Sequence, residues 1–155
     1  MPLSIINSPQ STKFSVLEVG MDKKGEIDTL TKLIRPNLGL ITNISYAHIK
    51  NFKNLDEIAK AKGEIINNIS PSGVMIINKD DKYCNYFISK AKMRNLNIIT
   101  FSKKSKLADI VYLGEKKIKN KFLCKFLIKG EIKSFIIPNY LIDFKENILS
   151  TLSII

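Results

Sequence analysis

The segment NLDEIAKAKGEIINNISPSGVMIIN, residues 54–78, decides the fold because it joins a well-marked helix to a buried strand. Asn54 precedes an apolar-periodic run and Glu57 follows three residues later, a capping-box pattern that predicts a helix running to about Ile69. An SPSG stretch then breaks the helix, and residues 73–78 form the short apolar run typical of a buried strand.

The same alternation extends in both directions along the chain. The pattern predicts further strands at residues 14–19, 38–43 and 97–101, and further helices at residues 26–34 and 82–93. Alternating strands and helices predict a mostly parallel sheet flanked by helices, which we assign to residues 1–103. We therefore expect an α/β fold.

The pattern changes after residue 103. Three strand-like runs follow without a helix between them, at residues 109–113, 121–128 and 132–137. They predict a small antiparallel meander within residues 104–139. Residues 140–155 are expected to hold the start of a helix that begins near Phe144 and is cut off at Ile155.

Composition excludes several classes of protein. No apolar run approaches the roughly 20 residues that span a bilayer, and no secretory signal is recognisable, so we expect a cytoplasmic protein without membrane contact. Cys84 and Cys124 form no CxxC pair and there is one histidine, which argues against a zinc site and for free thiols. The lysines behind the net charge of +11 are scattered, so a basic nucleic-acid-binding module is the least favoured alternative.

Polar residues follow three of the predicted strands. Glu18 closes the first, Asn43 closes the second with His48 just beyond, and Asn78, Asp80 and Asp81 follow the third. Ligands of open parallel sheets bind outside the carboxyl ends of the strands, so together these residues predict a site. Each also has a structural explanation: an ion pair for Glu18, a satisfied loop histidine for His48, and a helix cap for Asn78 and Asp81.

Lys62 occupies an unusual position on its predicted helix. At 100° per residue it falls in the middle of the apolar face, with Lys60 and Glu64 on the opposite side. A lysine there must extend to water, pair, lose its proton or be modified. The plain alternative is a lysine whose stem packs while its ammonium reaches solvent.

Several of these residues lie in stretches that resemble the central domain of the Mur ligases. The matching stretches are VLEVGM at 16–21, GEI at 25–27, LITNI at 40–44, AH at 47–48, IAKAKGEI at 58–65 and NKDD at 78–81. The GEI and AKGEI forms resemble the D-alanyl-D-alanine-adding branch, and the resemblance is weaker after residue 81.

The resemblance implies an ATP-dependent ligase that forms an acyl phosphate on a UDP-muramoyl peptide, from which the amine of D-alanyl-D-alanine displaces phosphate. It implies that Mg²⁺ is held by Glu18, His48 and Lys62, with Lys62 carbamylated and acting as the catalytic group. A carbamate supplies the oxygen donors that Mg²⁺ prefers, and the metal offsets charge on the phosphates.

The resemblance also implies nucleotide-binding residues. Asn43 and Asn147 are the candidates, with Asn78 and Asp81 as further possible contacts. Asn147 corresponds to the asparagine of the family's G-x-H-x-x-x-N motif, whose glycine and histidine are replaced here by Leu141 and Asp143.

The chain departs from the family at its phosphate-binding loop. No G-x-x-G-K-[ST] motif occurs in the 155 residues, and we expect residues 1–155 to be a partial central domain without the UDP-binding and C-terminal ligase domains. On this interpretation the chain is inactive alone. The alternatives are a partner chain for a separately encoded N-terminal ligase fragment, and a non-catalytic remnant.

Overall fold

The computed structural model describes residues 7–46 and 51–155. Within these ranges the α-helices are α1 (Glu26–Ile34), α2 (Leu55–Lys62), α3 (Cys84–Met93) and α4 (Lys145–Leu152). The strands are β1 (Leu38–Ile41), β2 (Val74–Asn78), β3 (Asn97–Ser102), β4 (Ile110–Ile118), β5 (Lys121–Ile128) and β6 (Glu131–Pro138). There are also two 3₁₀ segments: Gly63–Asn68 directly follows α2, and Asn139–Phe144 directly precedes α4.

The strands form one six-stranded sheet in the order β1-β2-β3-β4-β5-β6. Strands β1 to β4 pair in parallel, and β4, β5 and β6 pair antiparallel. The predicted α/β class and the C-terminal meander are therefore confirmed. The meander is continuous with the parallel sheet through a short pairing in which Phe101 lies opposite Ile110.

Helices cover both faces of the parallel strands. Met75 and Ile77 of β2 pack with Phe87 of α3, whereas the intervening Ile76 packs with Leu149 of α4. Successive side chains of a strand point to opposite faces, and burial on both faces explains why β2 is apolar from Val74 to Ile77. Ile58 packs in a third cluster between α1 and α2.

The strand predicted at residues 14–19 is wrong. This segment forms no strand, and Phe14 and Val16 are each 88% exposed. Apolar composition favours a strand, but a strand is stable only when its backbone groups pair with a neighbour. Residues 14–19 pair with no strand in the described part of the chain, and β1 is the terminal strand of the sheet.

The helix predicted over 54–69 has nearly the predicted bounds, but its first part is α-helical and its second part is a 3₁₀ helix. Asn54 caps α2 by accepting a hydrogen bond from Glu57 N (3.0 Å), while the Glu57 carboxylate accepts from Lys53 N (2.9 Å) rather than from Asn54. After Lys62 the chain tightens into the 3₁₀ segment, where Glu64 is only 9% exposed. Glu64, predicted on the side of the helix opposite Lys62, is therefore buried.

The C-terminal elements differ from the predictions at their ends. Strand β4 continues to Ile118 across an irregularity between Tyr112 and Gly114. The last helix ends at Leu152 rather than being cut off at Ile155. Within the described ranges, no helix has the length and apolar character that crossing a bilayer requires.

Candidate functional site

Lys62, the last residue of α2, reaches the carboxyl end of β1. Its Nζ donates a hydrogen bond to the carbonyl oxygen of Asn43 (3.0 Å). Burial lowers the pKa of Lys62, and the negative charge of Asp81 partly opposes that shift. The amine is therefore half-buried and paired with a neutral acceptor, as expected for a lysine on an apolar helix face.

Asp81 joins the segment after β1 to the beginning of α3. Its Oδ2 accepts a hydrogen bond from Ile44 N (2.7 Å) and its Oδ1 accepts one from Tyr83 N (2.8 Å). The second bond closes a turn directly before α3, but the N-cap position is Tyr83 and no side chain caps it, so the predicted helix-cap role is wrong. The bond to Ile44 N could not be predicted from the chain order. It places the Asp81 carboxylate beside the segment whose Asn43 carbonyl accepts from Lys62.

Asn78 is a buried connection between the ends of β1 and β2. It is 4% exposed, its Nδ2 donates to the Thr42 carbonyl (2.9 Å), and its Oδ1 accepts from Asp80 N (2.9 Å). Its amide is thus already engaged on both sides. Asn78 fixes the geometry of this edge of the sheet.

Asp80, one of the three polar residues predicted after β2, connects the end of β2 to the end of β3. Its carboxylate accepts hydrogen bonds from Ser102 Oγ (2.5 Å) and Lys103 N (2.6 Å). Ser102 is fully buried, and its Oγ in turn accepts from Ser105 N (2.6 Å). The NKDD run marks Asp80 as a polar residue after a strand, but the sequence does not show that its hydrogen-bond partner is Ser102, 22 residues away.

Helix α4 begins beside the same edge of the sheet. Lys103, directly after β3, forms an ion pair with Glu146 in the first turn of α4 (2.5 Å). Asn147 is the next residue, and it is exposed, as is Asn43. The two predicted nucleotide-binding asparagines are therefore accessible, but no hydrogen bond joins either side chain to Lys62.

The predicted metal ligands are only partly placed. Glu18 is exposed and forms no hydrogen bond or ion pair with another described residue, while its neighbour Val19 packs against the cluster that contains Ile58 and Ala61 of α2. His48 lies outside the described residues. Across residues 7–46 and 51–155, no three Asp, Glu, His or Cys side chains converge as a metal site, so the ligand set stays a prediction.

A tyrosine–aspartate pair braces the starts of two helices near this edge. The Tyr83 hydroxyl donates to Asp56 Oδ1 (2.5 Å). That hydrogen bond, followed by desolvation and neighbouring negative charges, raises the pKa of Tyr83 to about 12. Tyr83 therefore remains a hydrogen-bond donor throughout the physiological pH range, and it ties the start of α3 to the start of α2.

Glu64 is a buried carboxylate that the sequence did not single out as functional. It accepts hydrogen bonds from Gly25 N (2.9 and 3.1 Å) and Asp28 N (3.2 Å) at the start of α1. An acceptor is needed there because the first backbone N–H groups of a helix lack partners within the helix, and negative charge is favoured at that end. Glu64 lines a cavity of about 600 Å³ together with Lys60 and Lys90.

Comparison with known proteins identifies the Mur ligase family that the sequence motifs resemble. Residues 1–150 match the family model described as the Mur ligase middle domain. The UDP-N-acetylmuramoyl-tripeptide–D-alanyl-D-alanine ligase of Rickettsia prowazekii is 36% identical over 131 residues, covering 78% of this chain and 29% of the relative.

Solved structures agree on the fold. MurF from Acinetobacter baumannii superposes with a TM-score of 0.82 at 22% identity, over 99% of this chain and 34% of that protein. MurF ligase from Thermotoga maritima in complex with ADP gives 0.81 at 21% identity, over 99% and 35%. The chain thus spans about a third of the length of these relatives. On the family match along nearly its whole length, the chain belongs to the Mur ligase middle-domain family.

Proposed function

We propose that the chain is the ATP-handling part of a cytoplasmic peptidoglycan-precursor ligase that joins D-alanyl-D-alanine to a UDP-muramoyl tripeptide through an acyl phosphate. The observation that carries the proposal is the half-buried amine of Lys62 at the carboxyl end of β1, within a Mur ligase middle-domain fold. The Rickettsia relative is named for this reaction and the Thermotoga structure contains ADP.

The surroundings of Lys62 suit carbamylation. The neutral amine attacks carbon dioxide, forming a C–N bond and releasing a proton, and the lowered pKa of Lys62 increases the neutral fraction. The product is an anion near Asp81. Two neighbouring anions in a partly desolvated position are stable when a cation lies between or beside them, which favours a divalent ion there.

Glu18, His48 and the carbamate of Lys62 would hold the Mg²⁺ ion. The packing of Val19 against the α2 cluster supports this assignment, because it brings the chain next to Glu18 against the helix that ends in Lys62. The ion would bind phosphate oxygens of ATP and offset their charge. Asp81 would act on this site by positioning the segment after β1.

The nucleotide would lie along the edge formed by the ends of β1, β2 and β3. Asn43 and Asn147 are the proposed contacts because both are exposed there. Asn78 and Asp81 would position the edge, since their polar atoms already bond within the protein. The 155 residues contain no phosphate-loop motif, so we propose that a phosphate loop outside them is required for activity.

The carbamate can be detected directly. In carbon-13-labelled bicarbonate at mildly alkaline pH with magnesium, we expect one carbamate carbon resonance from the wild-type chain and none from Lys62→Ala. Lys60→Ala is the matched control, because Lys60 is an exposed lysine on the same helix, and it should keep the resonance. A resonance that survives in Lys62→Ala, or is missing from the wild type, would contradict this assignment.

The ligase function can be tested in a chimera that carries this chain in place of the matching region of the Rickettsia prowazekii ligase. We expect phosphate release that depends on D-alanyl-D-alanine, and a loss on the order of 10- to 100-fold or more in Lys62→Ala. Lys60→Ala should be unaffected, and the isolated chain should release none. A folded chimera that binds magnesium-ATP but shows no such phosphate release would instead support a non-catalytic remnant.

A further inference from the structure

Strand β6 leaves one long edge of the sheet open. It is the last strand in the sheet order, and within residues 7–46 and 51–155 it pairs along its eight residues only with β5. Ile132 and Ile136 on this strand are 66% and 64% exposed. An exposed apolar edge strand presents unpaired backbone N–H and C=O groups and is a ready template for another strand.

The sequence of β6 is symmetric about Ser134. Isoleucines occupy positions 132 and 136, two residues to either side of the serine. In an antiparallel pair around a twofold axis at Ser134, each Ile132 lies opposite Ile136 of the second copy. A twofold interface must be self-complementary in this way, and directly opposite apolar side chains stabilise a strand pair.

The pairing would also extend an apolar surface that already exists. On the same face of the sheet, Leu123 of β5 lies opposite Ile136, and Leu127 lies opposite Ile132. When two copies join, Leu123 and Ile136 of one copy line up with Ile132 and Leu127 of the other. The twofold axis generates a second, identical apolar row. On the other face Lys133, already paired with Glu131 (2.5 Å), comes opposite the half-exposed ring of Phe135 of the second copy, a favourable cation–π arrangement.

On the face of Ile132 and Ile136, the lysines of the two copies would lie far apart. Lys125 is the lysine opposite Ser134 within one chain, and three strand spacings, roughly 14 Å, would separate it from Lys125 of the second copy. That distance exceeds the Debye length of about 8 Å at physiological salt. The other open edge, β1, has only four residues and lacks such symmetry.

We propose that two copies of this chain associate antiparallel through β6, with the twofold axis at Ser134, so that their sheets become one continuous sheet. The inference does not rest on the proposed ligase function, because it uses only the edge strand and its sequence.

The register can be tested by disulfide cross-linking of the 155-residue chain. Ser134→Cys places two thiols opposite each other, within the separation a disulfide spans, and should give an efficient covalent dimer on mild oxidation. Ile132→Cys is the matched control, since its thiols would be offset by four residues along the strands and should cross-link poorly. Cys84 and Cys124 are buried and add no background.

Sedimentation across a concentration series supplies the second measurement. The wild type should show a monomer–dimer equilibrium, and Ile136→Lys should raise the midpoint concentration about tenfold or more, because each substitution acts twice across the axis. Ile118→Lys, on the same face but on β4, should leave the midpoint unchanged. A monomer at all concentrations, or equal cross-linking at positions 132 and 134, would overturn the proposal.

Discussion

Replacing Phe101 with alanine is expected to lower the free energy of unfolding by about 3–5 kcal/mol, because the ring is fully buried and its removal leaves a cavity. Phe101 lies on β3 opposite Ile110, at the junction between the parallel and antiparallel parts of the sheet. Single domains are stable by about 5–15 kcal/mol. Urea denaturation followed by circular dichroism would therefore show a large shift of the midpoint.

Phe14→Ala is the matched control for this substitution. The same side chain is deleted, but Phe14 is 88% exposed, so the change should stay within about 0.5 kcal/mol. A loss as large as that of Phe101→Ala would mean that residues 14–19 are buried like a core strand, as their composition alone predicted.

Replacing Glu64 with alanine should cost about 2–4 kcal/mol, since it leaves the part-buried N–H groups of Gly25 and Asp28 without their acceptor. Loss of negative charge at the start of α1 adds to the cost. The same denaturation experiment measures it, and a selective increase in amide hydrogen exchange in α1 would locate the damage.

Glu64→Gln separates the two contributions. Glutamine keeps one acceptor oxygen and nearly the same shape, so it should lose about 1–2 kcal/mol, clearly less than alanine. Equal losses for the two variants would show that the charge, and not the hydrogen bonds, is what α1 requires from Glu64.

The edge that carries Lys62 is rigid for a reason that bears on its proposed chemistry. Asn78, Asp80 and Asp81 each bond to a segment outside their own turn, so the ends of β1, β2 and β3 are fixed to one another. Preorganised contacts of this kind reduce the reorganisation needed when charge develops on a bound phosphate. This is why the three residues are assigned to positioning.

The sequence by itself determined the alternation of helices and strands, the predominantly parallel sheet, the cap at Asn54 and the unusual place of Lys62. These features follow from local periodicity, which reports the burial of each face of an element. The place of Asn43, Asn78 and Asp81 at one edge of the sheet followed from the rule that the carboxyl ends of parallel strands share one edge, whereas the strand that should carry Glu18 to that edge does not form.

Only the tertiary structure decided which polar groups meet and which apolar segments are covered. The partners of Glu64 lie 36 to 39 residues away, and Asp81 bonds to Ile44 across 37 residues. Local periodicity cannot predict such long-range contacts, because it indicates that a side chain is buried but not which residues it packs against. For the same reason residues 14–19 looked like a strand: their composition favours pairing, and whether a neighbouring strand exists to pair with is a property of the folded chain.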